Sequence, residues 1–406
     1  MSSTFSIALS ALKAQSEAID TTGNNLANLN TTGFKGSTVD FKDLFSEYLG
    51  IDTGFQYGLG VGAPISNQQF TQGAIQSSQA PLAAAIQGNG FFVVNTPANQ
   101  QLYTRDGNFI VDSNGVLKTQ TGERVQGWSA DANGVINSNL QTGDIIMPTG
   151  AVLPAKATNN ISIAANLNAT TAATGTYAVP IQVVDSLGGT HSLTVTFTKT
   201  ATNTWTYSSA IPAADGAITG GTGTINFNSD GTMPAATTPP TPIVITALTD
   251  GAQAMNINWD LFNASGAGAI TQYGEASTAS SSQNGTQAAQ LTQVGIQQGG
   301  QVVASFSDGT QKVEAQLALA SIQNPTSLQN VGNNNYATTT STATPSVGVP
   351  QSGGRGQIMG GELEGSNVDM ATEFTNLIVY QSGYQASSKV ITTADQMNQD
   401  LLNLIH

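Results

Sequence analysis

Apolar residues at both ends of the 406-residue chain recur at helical spacing. The N-terminal stripe consists of Phe5, Leu9, Leu12, Ile19 and Leu26. The C-terminal stripe consists of Leu377, Tyr380, Tyr384, Ile391, Ala394, Leu401 and Ile405. Separations of three, four and seven residues place each set on one side of a helix, as in a heptad repeat. The spacing therefore predicts an amphipathic, coiled-coil-forming helix at each end, and these residues as a polymerisation interface.

The sequence between these helices alternates between apolar and polar positions over short stretches, which predicts β-strands. Strands with one buried face are predicted around residues 193–197, 204–207, 225–227 and 243–245. Two-residue hairpin turns are predicted where Asp or Asn precedes Gly, at residues 106–107, 114–115, 133–134, 230–231 and 308–309. The chain is thus predicted to be mainly β, with paired helices at its ends.

Two stretches rich in small and polar residues, 150–160 and 276–289, bracket the middle of the chain. We interpret them as the two crossings into an inserted outer β domain. The predicted domains are nested and discontinuous. They are a helical polymerisation core (1–30 with 366–406), extended connecting segments (31–71 with 340–365), an inner β domain (72–149 with 286–339) and the outer β domain (150–285).

The charge distribution excludes some classes of partner. Only 9% of the residues are charged, the net charge is −14, and none of the eleven Lys and Arg residues lies between Ala201 and Gln311. A basic surface that could neutralise phosphate is therefore missing, and we predict neither a nucleic-acid nor an anionic-membrane partner. No apolar run approaches the roughly 20 residues of a membrane-spanning helix, so membrane insertion is not expected. The N-terminus has no basic leader, which predicts that no cleavable secretory signal is present.

Candidate catalytic groups are few. The chain has no Cys, which excludes disulfides, thiolate chemistry and Cys-based metal sites. A hydrolase triad would need His191 with Asp185 and Ser186 or Ser192, but these are close neighbours in sequence and lack a nucleophile elbow. We therefore predict that His191 is a polar residue on the solvent face of a strand.

Three further patterns resemble binding or catalytic motifs. Residues 58–63 match a loose dinucleotide loop, but Pro64 stands where the phosphate-binding helix would begin. Asp112 and Asp131 start fragments of calcium loops that lack the acidic ligand at the end. Glu362 and Glu364 are paired carboxylates without an aromatic platform nearby, and are predicted to be solvated. No catalytic residue, metal or cofactor is predicted, and the chain is not expected to be an enzyme.

The terminal helices are not expected to be stable as an isolated pair. The free-energy cost of ordering the C-terminal segment exceeds the free energy that a single apolar seam returns. We predict that both ends become ordered when they pack against other copies of the chain.

Motifs beside both helices resemble those of a known family. Residues 24–28 (Asn-Asn-Leu-Ala-Asn), residues 31–36 (Thr-Thr-Gly-Phe-Lys-Gly) and residues 364–374 are similar to the N- and C-terminal signatures of bacterial flagellar rod and hook axial proteins. Residues 88–92, 103–109, 384–389 and 393–397 are also similar to this family. The signature residues are Asn24, Asn25, Asn28, Gly33, Phe34, Lys35, Ser366, Asn367, Val368 and Asp369.

The resemblance implies a structural subunit that self-assembles outside the cell. Within the family, the length of the chain and its large insertion favour the hook, a curved flexible tube that acts as a universal joint between the rod or motor and the filament. The implied partners are other copies of the chain, the distal rod protein, the hook-filament junction protein, the hook cap and the flagellar export apparatus. Alternatives are a distal rod subunit with an insertion, a secreted β-rich adhesin or fibre protein, and an extracellular carbohydrate-active enzyme.

Overall fold

The structure is a computed structural model that describes residues 2–44, 58–150, 152–234, 240–262 and 268–404. Helix α1 spans Ser2–Ala27 and helix α2 spans Met370–Leu404. Between them, the described residues form β-strands and a short 3-10 helix at Pro325–Ser327. The predicted fold class, mainly β with helices at both ends, is confirmed. Within these ranges, neither helix is long and apolar enough to cross a membrane.

The β-strands of the described residues are numbered in chain order. The N-terminal part contains β1 (Ser37–Asp40), β2 (Ile65–Gln68), β3 (Ile75–Ser77), β4 (Ala84–Gln87), β5 (Phe91–Asn95), β6 (Gln101–Thr104), β7 (Phe109–Val111), β8 (Leu117–Thr119), β9 (Arg124–Ser129) and β10 (Gly143–Asp144). The middle contains β11 (Val152–Leu153), β12 (Asn160–Asn166), β13 (Thr176–Val184), β14 (Thr190–Ala201), β15 (Thr204–Ala210), β16 (Ala217–Gly220), β17 (Thr222–Asn226), β18 (Ile243–Thr246), β19 (Met255–Asp260), β20 (Ile270–Thr271) and β21 (Thr278–Gln283). The remainder contains β22 (Ala289–Ile296), β23 (Gln301–Phe306), β24 (Gln311–Leu317), β25 (Leu319–Ser321), β26 (Gln329–Gly332), β27 (Asn335–Ala337), β28 (Ser346–Gly348), β29 (Gln357–Gly360) and β30 (Glu362–Glu364).

The chain divides into two compact units. The first unit comprises residues 1–149, 293–305 and 311–406, and the second comprises residues 150–292 and 306–310. The second unit is therefore formed mainly by one continuous segment inserted into the first.

In the first unit, segments from the two ends of the chain pair with each other. Strand β3 is antiparallel to β30, and β4 is antiparallel to β29. The central antiparallel order is β24-β9-β5-β6-β27-β26. Its core includes Phe92, whose ring packs edge-to-face on Phe109 at 5.1 Å between centroids. The fold of this unit therefore requires both ends of the chain.

The second unit contains two sheets that share one apolar core. One sheet has the antiparallel order β13-β14-β15-β17, and the other has the order β16-β18-β19-β12-β20, with β21 also paired to β12. The Trp259 ring packs edge-to-face on Tyr207 at 4.8 Å and on Phe197 at 6.1 Å. The four predicted strands lie in or at the ends of β14, β15, β17 and β18, which confirms them. The low-complexity stretch 276–289 is partly structured, since it contains β21.

The predicted two-residue hairpin turns are wrong at four of the five sites because each loop contains three residues. The Asp112 N–H donates to the Val116 carbonyl, and the Gly115 N–H donates to the Asp112 carbonyl. Of the three loop residues 113–115, only Gly115 has a positive φ, +81°. The Asp112 carboxylate accepts the Asn114 N–H at 2.9 Å, which stabilises a loop of a type I turn followed by a left-handed glycine. The backbone bonds repeat at residues 131–135, 228–232 and 306–310.

The fifth site, Asp106-Gly107, does not join two paired strands, since β7 pairs with β8. The Gly107 carbonyl accepts the Ala84 N–H at 3.0 Å, and a Cβ at position 107 would lie 1.6 Å from the Ala84 carbonyl oxygen. Glycine is needed here because two backbone segments touch, and a sequence pattern cannot show such a tertiary contact.

The prediction that His191 lies on a solvent face is also wrong. On β14 the buried positions include Leu193, Val195 and Phe197, and His191 continues the same alternation. Its Nε2 lies 2.7 Å from Asp185 Oδ2, so the imidazole is buried with a carboxylate partner. A polar side chain can occupy a buried face when such a partner is present.

Candidate assembly site

The two terminal helices pack against each other in antiparallel orientation. Near the end of α1, Asn25 Nδ2 donates to Glu373 Oε1 at 3.1 Å, close to the start of α2. In the middle, a Cβ at Gly383 would lie 2.9 Å from Gln15 Nε2. At the other end, Thr4 lines the same shallow cavity as Val390. The predicted pairing of the helices is therefore confirmed.

The buried side of α1 carries small and polar side chains: Ala8, Ala14, Ala18, Thr22 and Asn25. Small side chains allow neighbouring backbones to approach closely, which accounts for their burial. The predicted apolar stripe is offset from this side. Phe5 is 47% exposed and Leu9 is 41% exposed, whereas Leu12, Ile19 and Leu26 are half-buried. The large apolar residues of α1 are thus incompletely covered within one chain.

The predicted stripe of α2 is divided in its exposure. Leu377, Tyr380, Ile391 and Ala394 are half-buried, and the Tyr380 ring lies 6.0 Å from that of Phe41. Tyr384 is exposed. The Leu401 side chain and the whole of Ile405 lie outside the described residues.

A second apolar surface on α2 was not found by sequence analysis. None of the side chains described between residues 370 and 400 is buried. Ile378 is 63% exposed, Val379 is 59% exposed and Met397 is 57% exposed, and Phe374 and Val390 are also exposed. At about 100° per residue, Phe374 and Ile378 lie on one side of the helix and Val379, Val390 and Met397 on another. We call these five residues together the exposed α2 surface. A sequence pattern could have indicated part of this surface: Val379, Val390 and Met397 are eleven and seven residues apart and lie beside the predicted C-terminal stripe.

Several signature residues connect the helices to the β-strands. The Asn25 side chain exchanges two hydrogen bonds with the Ser37 backbone, at 2.7 and 2.9 Å. Asn367 Oδ1 accepts the Gly36 N–H at 2.8 Å, and its Nδ2 donates to the Gln69 carbonyl at 2.7 Å. These contacts hold residues 36–37, which follow α1, beside residue 367, which precedes α2.

Asp369 caps the first turn of α2. Its Oδ1 accepts the Thr372 N–H at 2.8 Å, which satisfies one of the backbone donors left free at a helix start. Hydrogen bonds from the Thr372 backbone and side chain lower the pKa of Asp369. The C-terminal signature thus specifies where α2 begins.

The other signature residues shape the chain between the helices and the sheet. Gly33 has φ +68°, and a Cβ there would lie 2.6 Å from the Asp106 nitrogen. Phe34 is buried, and Val368 packs next to Gly36. The remaining members lie close to these contacts. They are Asn24 and Asn28, joined by a hydrogen bond of 2.9 Å from Asn28 Nδ2 to the Asn24 carbonyl, and Ser366, whose Oγ accepts the Val368 N–H at 3.3 Å.

A buried ionic triad of Lys35, Arg105 and Glu364 joins three distant parts of the first unit. Glu364 Oε1 accepts hydrogen bonds from Lys35 Nζ at 2.6 Å and from the Gly73 N–H at 2.9 Å. Glu364 Oε2 accepts one from Arg105 Nη1 at 3.0 Å. The side chains of Lys35 and Glu364 are fully buried and that of Arg105 is nearly so. The prediction that Glu364 is solvated is therefore wrong.

Further contacts satisfy the two cations. Lys35 Nζ donates to the Thr71 carbonyl at 2.7 Å, and Arg105 Nη2 donates to the Gly88 carbonyl at 2.8 Å. The Arg105 guanidinium also lies over the Phe91 ring, 5.3 Å from its centroid. Burial lowers the pKa of Lys35, while the Glu364 carboxylate acts in the opposite direction. Among the described residues, Glu364 is the only carboxylate that forms an ion pair with these two buried cations.

An aromatic cluster of Phe70, Phe91 and Tyr336 lies beside the triad. Their ring centroids are 5.3–6.0 Å apart, and all three pairs are edge-to-face. The Tyr336 hydroxyl accepts a hydrogen bond from Gln68 Nε2 at 2.9 Å, and burial raises the pKa of this phenol. Apolar walls keep water from the ions, which strengthens their attraction but makes an unpaired charge costly.

Four family models match the chain in succession. They describe a flagella basal body rod protein (residues 5–35), the flagellar hook protein FlgE/F/G D1 domain (85–170), the flagellar basal body protein FlaE D2 domain (153–286) and the flagellar basal body rod FlgEFG protein C-terminal region (359–404). The matches include α2, most of α1 and parts of both compact units.

Whole-length relatives agree with these models. The chain is 32% identical to the flagellar hook protein FlgE of Borreliella burgdorferi, with 98% of each chain covered. It is 31% identical to the FlgE of Salmonella typhimurium, over 98% of this chain and 99% of that one. Among solved structures, the Helicobacter pylori flagellar hook protein FlgE2 matches with a TM-score of 0.47 and 13% identity, over 64% of this chain and 93% of that chain.

Proposed function

The chain belongs to the flagellar hook protein FlgE family and is a structural subunit of the bacterial flagellar hook, and we propose that it polymerises into a curved, flexible tube. The tube would act as a universal joint between the rod or motor and the filament. We propose further that the subunit has no catalytic activity and that it is exported from the cell to the hook. Its partners would be other copies of itself, the distal rod protein, the hook-filament junction protein, the hook cap and the export apparatus.

The observation that carries the proposal is the exposed α2 surface. A helix of 35 residues that buries none of its described side chains, yet exposes Ile378, Val379 and Met397, gains little stability within one chain. Covering these side chains against neighbouring copies would remove apolar area from water, which favours association. Phe5 and Leu9 of α1 present a second surface of the same kind.

We propose a division of labour between the domains. Residues 1–30 with 366–406 form the polymerisation core, and residues 31–71 with 340–365 connect it to the inner β domain (72–149 with 286–339). The inserted segment 150–285 forms an outer β domain. This arrangement is supported by hydrogen bonds from signature side chains: Asn25 joins α1 to β1, and Asn367, which precedes α2, bonds to Gln69, the residue after β2.

An aspartate at position 378 should block polymerisation without unfolding the subunit. Ile378 is exposed in the single chain, so the charge costs little there, but in the polymer it would be buried without a partner at a cost of several kcal/mol per copy. We expect Ile378→Asp to remain monomeric under polymerising conditions when examined by negative-stain microscopy and sedimentation.

The matched control is Ile378→Leu, which keeps an apolar side chain of the same volume and should form tubes. Circular dichroism and thermal unfolding of both monomers should match the wild type. Tubes of normal length formed by Ile378→Asp would refute the proposed role of the exposed α2 surface. Straight, rigid tubes of the wild-type chain would refute the universal joint and favour a rod subunit.

Removal of the inserted segment should separate assembly from mechanics. A chain that lacks about residues 150–290, with the ends rejoined, keeps both helices and the triad, so we expect it to polymerise. We expect its tubes to differ from wild-type tubes in curvature or stiffness, as measured by electron microscopy. A soluble, folded deletion variant that forms no tube would contradict the division of labour.

A further inference from the structure

Three segments of the second unit bring a histidine and three aspartates together. Asp185 follows β13, His191 is the second residue of β14, Asp215 precedes β16, and Asp250 follows β18. Asp185 and His191 are buried, whereas Asp215 and Asp250 have side chains about one-third exposed. The proposed hook function uses none of these residues.

One side of the His191 ring faces two converging carboxylates. His191 Nε2 lies 2.7 Å from Asp185 Oδ2 and 3.8 Å from Asp250 Oδ2. One potential ligand atom from each residue lies within 4.8 Å of those of the other two. These separations are close to the roughly 3–4 Å between ligands that share a metal ion at bond lengths of about 2 Å.

Both carboxylates are held in place by their other oxygen. Asp185 Oδ1 accepts the N–H groups of Leu187 at 2.7 Å and Gly189 at 2.9 Å, and Asp250 Oδ1 accepts the N–H of Ala252 at 3.0 Å. Each Oδ2 atom is therefore left to face the histidine.

Gly189 keeps the space beside the two carboxylates open. A Cβ at this position would lie 2.5 Å from Asp185 Oδ2 and 2.9 Å from Asp250 Oδ2. The glycine thus leaves room at the point where the two negative oxygens converge.

The second ring nitrogen of His191, Nδ1, faces a third carboxylate. His191 Nδ1 is buried and has no hydrogen-bond partner among the described residues, and Asp215 Oδ2 lies 3.9 Å from it. When an imidazole binds a metal through Nε2, its Nδ1–H commonly points to a carboxylate, which orients the ring and raises its basicity. Asp215 is placed for this role.

The negative charge of this cluster favours the binding of a cation. Three carboxylates surround one imidazole, and within the described part of the chain no Lys or Arg forms an ion pair with any of them. A ligand set of one imidazole and two carboxylates suits first-row transition metals such as zinc, whereas calcium and magnesium prefer oxygen ligands alone.

We propose that Asp185, His191 and Asp250 form a binding site for a divalent first-row transition-metal ion, with Asp215 as the positioning residue. The ion would connect the β13–β14 turn to the loop after β18. Because the three ligands come together only in the folded unit, metal binding would stabilise this unit against unfolding.

Titration of the untagged full-length chain with Zn²⁺ tests the proposal. Isothermal titration calorimetry at neutral pH should show one site of micromolar or tighter affinity, and Zn²⁺ should raise the unfolding temperature. Asp250→Asn should abolish this binding, and because Asp250 is partly exposed the variant should keep its fold by circular dichroism. Asp215→Asn should weaken binding by about 10- to 100-fold, as loss of an orienting partner does.

Two controls locate the ion. Glu275→Gln removes an exposed carboxylate elsewhere in the same unit and should leave binding unchanged. His406→Ala removes the only other histidine and should also bind normally. X-ray absorption of the zinc-loaded wild type should show one imidazole and oxygen ligands, which tests the site even if a variant unfolds. The proposal is overturned by absent saturable binding, by a response to Ca²⁺ but not Zn²⁺, or by equal affinity of Asp250→Asn and wild type.

Discussion

Glu364→Gln should lower the free energy of unfolding of the first unit by about 3–5 kcal/mol, the range measured when one partner of a buried ion pair is removed. The substitution preserves the shape of the side chain but removes the carboxylate charge that pairs with the buried cations Lys35 and Arg105. Urea unfolding followed by tryptophan fluorescence and circular dichroism would measure the loss. Trp128 reports on this unit.

Glu362→Gln is the matched control. Glu362 lies two residues earlier on β30, is half-buried, and forms no ion pair within the described residues. Its replacement should change stability by less than about 0.5 kcal/mol. A double-mutant cycle with Lys35→Met should show strong coupling between positions 35 and 364. Equal stability of Glu364→Gln and Glu362→Gln would show that the triad contributes no net stability.

Glu364→Gln should also impair polymerisation of the subunit. Glu364 is the last residue of β30, and α2 begins only six positions later, at Met370. A destabilised junction would no longer hold α2 antiparallel to α1, so we expect Glu364→Gln to form few or no tubes at temperatures where the wild type assembles.

Gly107→Ala should lower the free energy of unfolding of the first unit at least as much as Glu364→Gln does. A Cβ would lie 1.6 Å from the Ala84 carbonyl oxygen and 2.7 Å from its carbon, and these backbone atoms belong to β4 in the core of the first unit. A collision with backbone cannot be relieved by a rotamer change, so strands must separate. We expect a loss of more than about 4 kcal/mol, which is exceptional for the addition of one methyl group. Soluble yield and urea unfolding would measure it.

Gly143→Ala provides the comparison within the same unit. Gly143 lies on β10 and is not among the glycines with positive φ, and a Cβ at this position would have no heavy atom within 4 Å. The same methyl group should therefore change stability by less than about 1 kcal/mol. If the two variants unfold at the same urea concentration, the close approach of Gly107 to Ala84 is not a feature of the folded protein.

Hydrophobic periodicity was sufficient to predict the fold class. The stripes at both ends correspond to α1 and α2, and the alternation around Val195 and Phe197 corresponds to β14. Such patterns are informative because they result from burying one side of a single element, a constraint that acts along the local sequence. His191 lies at a position that this alternation predicts to be buried. The prediction of a solvent-facing position relied instead on the polarity of the imidazole.

The details of the turns depended on weaker local effects. Asp112 accepts N–H groups from its own loop, which favours a three-residue loop over the shorter hairpin turn that Asn-Gly suggests. The difference between these loops is small in energy and is decided by a few hydrogen bonds. Asp106-Gly107 has the same two-residue signal but serves a contact with Ala84 instead.

The amino-acid sequence by itself determined the helices at the two ends, the β character between them and the family motifs, because each depends on residues that are near one another in the chain. Only the tertiary structure decided that Lys35, Arg105 and Glu364 share one buried site, and that large apolar residues of α2 remain uncovered. Residues 35 and 364 are separated by 329 positions. Charge pairing and burial over such separations depend on distances in the folded chain, which no local pattern of residues encodes.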